Sequence, residues 1–220
     1  MKARPLTPEY GKRIYDWWGR HPHLYRFMAW LVFLGRERTL RRRAAELAGI
    51  GPGATVLDLA CGSGANFAAL EARIGDRGRL IGFDYSPGML ASAEALKARH
   101  GWDNIELVQG DAEKMELPAA SLDAAVCTLA LSTMRDHRAA IERVRDGLRP
   151  GGRFAVLDAK ELEGAARILN PLIRPLFRLT TNWDPRKNLI ASLRDCFGAV
   201  EVKRFNAGSM YIAVGRASVD

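Results

Sequence analysis

Residues 54 to 64, Ala-Thr-Val-Leu-Asp-Leu-Ala-Cys-Gly-Ser-Gly, constrain the fold more than any other stretch. Ala54 to Asp58 is mostly apolar and β-favouring, as in a parallel strand buried on both faces. Gly62 and Gly64 permit a sharp turn, and Ala65-Asn66-Phe67-Ala68-Ala69-Leu70 then reads as helix. A glycine turn lets a ligand approach where no Cβ intervenes. The helix start behind it offers unpaired N–H groups and the positive end of a dipole. Several nucleotide-binding folds share this strand, G-x-G and helix. In the dinucleotide fingerprint a third glycine falls at position 67, where this chain has Phe67, too bulky for close helix packing over a pyrophosphate. Asp58, inside the strand end, suits an ammonium better than phosphates. The turn therefore expects a zwitterion.

From residue 54 onward the pattern alternates. Strands are expected at Thr55–Leu59, Leu80–Phe83, Ile105–Gln109, Leu122–Leu129 and Arg153–Asp158, with helices near 65–73, 87–100 and 136–148 between them. Ser86 and Pro87 look like the N-cap and first residue of their helix, and Arg149-Pro150-Gly151-Gly152 ends the third. Such alternation argues for an α/β fold with a parallel sheet and helices on both faces. Prolines 171, 175 and 185 then interrupt helical pieces at about 161–180 and 186–195. Two last strands, Ala199–Phe205 and Met210–Val214, are joined by Asn206-Ala207-Gly208-Ser209, too short for anything but an antiparallel hairpin.

Charge divides the chain unequally. Residues 1–49 hold 11 Lys and Arg against 4 Asp and Glu; the rest holds 22 against 21. The basic segment also carries Tyr10, Tyr15, Trp17, Trp18, Tyr25, Phe27, Trp30 and Phe33, expected on a helix over 9–19 and a second from about His23 to Leu47, broken at Gly35. Interleaved basic and aromatic residues suit an anionic membrane surface, an acidic substrate or a nucleic acid, or else a wet basic face over a packed aromatic one. Arg41, Arg42 and Arg43 point in too many directions for all to face the core. The apolar run 27–34 is far below the ~20 residues needed to span a bilayer. No secretory signal is expected after Met1-Lys2-Ala3-Arg4-Pro5, so a cytoplasmic location, with the inner membrane face as a candidate contact, is the expectation. Three widely spaced cysteines, Cys61, Cys127 and Cys196, fit small space-fillers in a reducing compartment rather than a disulfide framework or a metal site.

Two more acids join Asp58. Asp84 ends the second strand, 26 residues further on, where a carboxylate can accept from both ribose hydroxyls. Asp111 follows the third strand in Gln109-Gly110-Asp111-Ala112 and can accept from an adenine amine. Any one of them could equally be a loop-capping Asp; three at successive strand ends converge on the crevice where such sheets bind ligands.

With these residues the chain resembles the class I S-adenosylmethionine-dependent methyltransferases, in particular the small-molecule type 11 group. The matching pieces are Val56 to Gly64, Gly82-Phe83-Asp84-Tyr85-Ser86-Pro87-Gly88-Met89-Leu90, Gly110-Asp111-Ala112-Glu113 and Leu148 to Phe154, in the family's order and spacing. The resemblance implies a Rossmann-like seven-stranded sheet of order 3-2-1-4-5-7-6 with strand seven antiparallel. It divides the chain into an N-terminal helical lid and acceptor entrance, 1–49, and a cofactor-binding domain, 50–220. The methionine part of the cofactor would lie along Ala60, Gly62 and Gly64 with Asp58 at its ammonium. Asp84 would hold the ribose, Tyr85 and Met89 would flank it or the adenine, and Asp111 with Ala112 would meet the adenine edge. Thr128 and Leu129 would lie under the sulfonium. Tyr15-Asp16 is similar to a Tyr-Asp pair of many members, whose Tyr closes over the cofactor. No metal is implied.

The acceptor is less constrained. The chain is similar both to bacterial phospholipid N-methyltransferases and to ubiquinone and menaquinone C-methyltransferases. Glu161–Asn170 and Asn206–Ser209 match the quinone group poorly, while Arg174 and Arg178 on an apolar segment suit an amphipathic substrate with an acidic head. The leading expectation is therefore amine methylation of a phosphatidylethanolamine-like lipid, and the alternatives are carbon methylation of a quinone precursor or an RNA or protein acceptor. Cys127-Thr128-Leu129-Ala130 stands where base-amine methyltransferases often carry Asn-Pro-Pro-Tyr, which disfavours nucleic acid. Tyr15, Tyr25, His137 and Trp183 are candidates for acceptor contact or proton handling, Tyr15 and His137 foremost. His137 reads equally well as a first-turn residue of its helix. Oligomeric state is left open.

Overall fold

Seven strands form one sheet in the computed structural model, which describes residues 8–21, 23–24, 27–28, 30, 35–162, 164–172, 174–175, 183–184 and 187–219. They are β1 Thr55–Leu59, β2 Arg79–Asp84, β3 Ile105–Gln109, β4 Leu122–Thr128, β5 Leu148–Ala159, β6 Val200–Phe205 and β7 Met210–Arg216. Their order is β3-β2-β1-β4-β5-β7-β6. The first five run parallel, and β7 runs antiparallel to both β5 and β6. The turn Asn206–Gly208 closes the β6–β7 hairpin.

Among the described residues six α-helices are delimited: α1 Pro8–Arg20, α2 Glu37–Leu47, α3 Phe67–Ile74, α4 Pro87–His100, α5 His137–Gly147 and α6 Leu189–Phe197. Side chains alternate along each strand, so the sheet feeds two cores. Val56, Leu80 and Val126 join Leu40 and Ala44 of α2, Leu70 of α3 and Ala93 of α4 on one side. Leu57, Leu59 and Val156 join Ile141 and Val144 of α5 and Leu193 of α6 on the other. The hydrophobic pattern alone dictates this two-sided burial.

Several boundaries differ from the expectation. β5 begins at Leu148 rather than Arg153, because Leu148 pairs with Leu122 and a bulge follows before Ala124 pairs with Arg153. Arg149 to Gly152 is thus taken into the strand, with Gly151 at φ 79°. Within the piece expected over 161–180 the described residues form a 3-10 turn Gly164–Leu169 followed by helical residues 170–172 and 174–175, and the piece expected at 186–195 is α6, capped by Asn188. Gly35 does break the second N-terminal helix, at φ 73° with its N–H on the Trp30 carbonyl. Of the three consecutive arginines only Arg41 is buried; Arg42 and Arg43 are exposed. Arg178, Tyr25 and residues 31–34 lie outside the described residues. No described helix is long and apolar enough to cross a membrane.

Phe67 explains why α3 sits where it does. A Cβ on Gly64 would come within 2.6 Å of its ring, and one on Gly82 within 3.1 Å. The ring thus fills the space that both glycines leave, and it is fully buried. Phe67→Ala is expected to cost about 3–5 kcal/mol of unfolding free energy in urea titrations. A cost below about 1 kcal/mol would show that the turn does not depend on this ring.

Candidate cofactor site

The turn after β1 is held in a conformation few side chains adopt. Ala60, Gly62 and Gly64 have φ of 54°, 57° and 80°. For Ala60 that conformation is strained, a feature that clusters at functional sites. Only Met89 Sδ, at 4.0 Å, comes near the place where a Cβ on Gly62 would sit, so the backbone there is open to a ligand.

Asp58 is fully buried behind this turn. Its Oδ1 accepts from Asn66 Nδ2 at 2.7 Å, and its Oδ2 has no hydrogen-bond partner among the described residues. Burial raises its pKa to about 7, against the opposing pull of the Asn66 hydrogen bond and the Arg41 charge. A buried carboxylate oxygen without a donor is costly unless something charged completes it. Asn66 ties the surroundings together. Its side chain also bonds Thr128 Oγ1 at 3.2 Å, and its Oδ1 accepts from Arg41 Nη1 at 2.7 Å. Arg41 in turn pairs with Glu37 at 2.9 Å.

At the end of β2, Asp84 Oδ2 accepts from Gly62 N and Oδ1 from Ser86 N, each at 2.8 Å. Burial raises the Asp84 pKa as well. Ser86 caps α4 by accepting from Met89 N, and its hydroxyl donates to Asp16 Oδ1 at 2.6 Å, which fastens α1 onto the site. Gly19 and Gly88 let those helices meet, since a Cβ on Gly19 would lie 2.6 Å from the Gly88 carbonyl carbon. Tyr85 is 48% exposed and Met89 is buried. Asp111 accepts from Glu113 N at 3.0 Å, capping the short turn Ala112–Lys114. Thr128 ends β4, and Leu129 follows at φ 57°. Asp58, Gly62, Asp84, Asp111 and Thr128 therefore gather at the carboxyl ends of four adjacent strands. Together they offer a buried acid with one oxygen unpartnered among the described residues, a Cβ-free backbone and two further acids, an acceptor set suited to an ammonium and to hydroxyls.

The catalytic candidates fare differently. The side chains of Tyr15 and Tyr25 lie outside the described residues. Trp183 is buried. His137 Nε2 is 2.9 Å from Ser192 Oγ, so the ring joins α5 to α6; burial, then the Lys187 charge, lowers its pKa. Three participants were not anticipated. Asn66 is a residue type favoured at a helix N-cap, which was the available signal. Arg41 was hidden inside an arginine run. Asp158, buried at the end of β5, accepts from Ser132 Oγ at 2.8 Å and Ala159 N at 2.7 Å, and burial raises its pKa to about 6. Its position at a strand end is the same signal that marked Asp84. Cys61 and Cys127 are buried and Cys196 is half-buried, all as thiols. No group of side chains arranged to hold a metal occurs among the described residues.

A family model described as "Methyltransferase domain" matches residues 56–152. The chain is 34% identical over 131 residues to the chloroplastic 2-phytyl-1,4-beta-naphthoquinone methyltransferase of Arabidopsis thaliana, covering 58% of this chain and 50% of that protein. It is 33% identical over 135 residues to a ubiquinone/menaquinone biosynthesis C-methyltransferase of Hahella chejuensis (61% and 54%). With the aklanonic acid methyltransferase of Streptomyces sp. strain C5 it shares 31% over 150 residues, 66% of this chain and 68% of that one. The chain thus spans about half the length of the two quinone relatives. A solved S-adenosylmethionine-dependent methyltransferase from Aquifex aeolicus has the same fold, with a TM-score of 0.63 at 18% identity over 80% of this chain and 88% of that one.

Asp58 makes a pH prediction. Its carboxyl keeps a proton to about pH 7 when folded, against 3.8 normally, so between those values the folded state binds the additional proton. This contribution to stability is full below about pH 4 and is lost as pH rises towards 7, by at most about 1.4 kcal/mol per unit. Asp58→Asn removes it, so in urea titrations the variant should gain on the wild type between about pH 4 and about pH 7. A pH-independent difference would show that Asp58 titrates normally.

Proposed function

The chain belongs to the S-adenosylmethionine-dependent methyltransferases, and from that premise we propose that it methylates a ring carbon of a quinone-like, apolar acceptor. The observation that carries the cofactor part is the buried Asp58 oxygen without a donor, beside the open backbone of Gly62. Bound there, S-adenosylmethionine supplies a methyl group already activated on a sulfonium. Asp58 accepts from its ammonium, Asp84 receives the ribose hydroxyls on lone pairs left free by Gly62 and Ser86, and Asp111 with Ala112 faces the adenine. Tyr85 and Met89 flank the nucleoside, and Ala60, Gly64, Thr128 and Leu129 shape the methionine end. An activated donor asks the protein mainly for positioning and dryness.

For the acceptor, the named relatives favour the quinone alternative over the phospholipid expectation. None of the relatives described above is named for a phospholipid, and that reading gives way. The surface is compatible with an apolar ring system. Trp17, Leu24, Phe27 and Trp30 are exposed on the N-terminal segment, and Ile168, Leu169 and Leu172 on the segment after β5. In this reading residues 1–49 form the lid and entrance, with α1 held over the cofactor side by the Asp16–Ser86 hydrogen bond. Carbon methylation of a phenolic ring needs its oxygen ionised; Tyr15 is the candidate for handling that proton, while His137 serves the α5–α6 contact. The exposed apolar residues also make a membrane face a natural source of such an acceptor.

Two measurements test this. Methyl transfer from labelled donor is expected to a demethylated naphthoquinol and not to phosphatidylethanolamine vesicles; labelled phospholipid would overturn the acceptor reading. In calorimetry, affinity for S-adenosylmethionine should rise up to about tenfold per pH unit below about 7, as Asp58 must release its proton to meet the ammonium, and then level off. Asp84→Ala should weaken binding by about tenfold or more. Unchanged affinity in that variant would remove Asp84 from the site.

A further inference from the structure

The amino end of the sheet, opposite the cofactor crevice, holds a second cavity. It measures about 550 Å³ and is lined by the glycine turn before β1 (Gly49, Gly51, Gly53), the start of β5 and the end of β7. Its charged side chains are Arg149, Arg153, Arg216 and Asp123. Arg153 and Arg216 are direct partners across the antiparallel β5–β7 pair, so their side chains leave the same face side by side. Like charges directly opposite each other in a sheet are destabilising unless something offsets them. The only acid in the lining, Asp123, is already engaged: it pairs with Arg149 and accepts from Thr55 N at 2.6 Å. Among the described residues Arg153 has only a long contact of 3.4 Å with the Leu47 carbonyl, at the negative end of α2. The Arg153 guanidinium lies over Gly49, and that of Arg216 over Gly151, each 3.3 Å from where a Cβ would sit. Both forks are therefore folded over Cβ-free turns at the cavity wall. Gly51 and Gly53 leave open space, with no atom within 4 Å of an added Cβ.

We propose that this cavity is a binding site for a phosphate-bearing anion, held between the paired forks of Arg153 and Arg216, with Arg149 at its edge. Two planar guanidiniums on rigid neighbouring strands can each present parallel N–H groups to phosphate oxygens, the geometry in which arginine is most selective. A dianion converts the Arg153–Arg216 repulsion into a shared attraction, so its binding stabilises the sheet edge. The glycine turns let a ligand reach the backbone floor without meeting a side chain. The site is separate from the cofactor crevice: its residues sit at the opposite ends of β1, β4 and β5 from Asp58, Thr128 and Asp158.

The test uses the full chain and two sources of the same chemistry, pyrophosphate in solution and phosphatidic acid in vesicles. Wild type is expected to bind at least one of them and, with pyrophosphate, to melt at a higher temperature. The double variant R153Q/R216Q should bind about tenfold or more weakly and lose the thermal shift. G51L keeps every arginine but occupies the open space, and should weaken binding too. R99Q/R143Q removes the same charge from exposed positions elsewhere and should bind like the wild type. Affinity for S-adenosylmethionine should be unchanged in all three variants, which separates failure here from failure of the cofactor site. No binding by the wild type to either probe, equal binding by R153Q/R216Q, or an equal loss in R99Q/R143Q would overturn the proposal.

Discussion

The most demanding interaction in this molecule is the buried carboxylate of Asp58. β1 is the middle one of the five parallel strands, and three of its five residues are fully buried hydrophobics. Placing an acid among them costs several kcal/mol unless its charge is met. The chain itself satisfies one of the two oxygens, through Asn66 and, behind Asn66, the buried Arg41. The other oxygen has no donor among the described residues. The deficit rewards a cation, which in the proposed function is the ammonium of the bound cofactor. Much of the local architecture then follows. The strained Ala60, the two glycines and the Phe67 ring are what hold the turn open at that oxygen.

The fold was legible because its signals are local or periodic. Alternation of apolar strands with helices, the glycine turn, and the four-residue link between the last strands each depend on a few adjacent residues. The acids at strand ends were legible for the same reason. Asn66, Arg41 and Asp158 were not, since each gains its meaning from partners 8 to 62 residues away. The arginine run shows the difficulty well. Three identical side chains carry no internal sign of which one turns inward; the helix phase set by Leu40, Ala44 and Ala45 decides it. β5 was read short because Pro150, Gly151 and Gly152 look like a helix terminator. They are that, and they also sit within a bulged strand, where pairing with β4 overrides local propensity.

The leading expectation for the acceptor gives way to the proposed one for a related reason. Arginines in the proline-broken segment suggested an acidic headgroup, yet Arg174 pairs with Glu161 at 2.6 Å and so is not free for a substrate. A composition argument counts charges; only the fold shows which are already spoken for.

That distinction also changes the reading of net charge. Counted along the chain, the body after residue 49 is almost neutral, and the excess of base belongs to the N-terminal segment. Counted in space, the body is polarised. Asp58, Asp84, Asp111 and Asp158 collect at the carboxyl ends of β1, β2, β3 and β5, whereas Arg149, Arg153 and Arg216 collect at the opposite edge. Parallel βαβ units favour such sorting, because helix N-termini face the first end and helix C-termini the second. Dipoles of this kind contribute only about 0.3–1 kcal/mol each at exposed positions, however. They account for an arginine near the α2 terminus, as with Arg153 and Leu47, whereas a second arginine set directly across from it on β7 adds a like charge at the same place. The Arg153–Arg216 pair is thus the mirror image of the Asp58 problem: a local charge imbalance, built on neighbouring strands, that the described residues leave uncorrected.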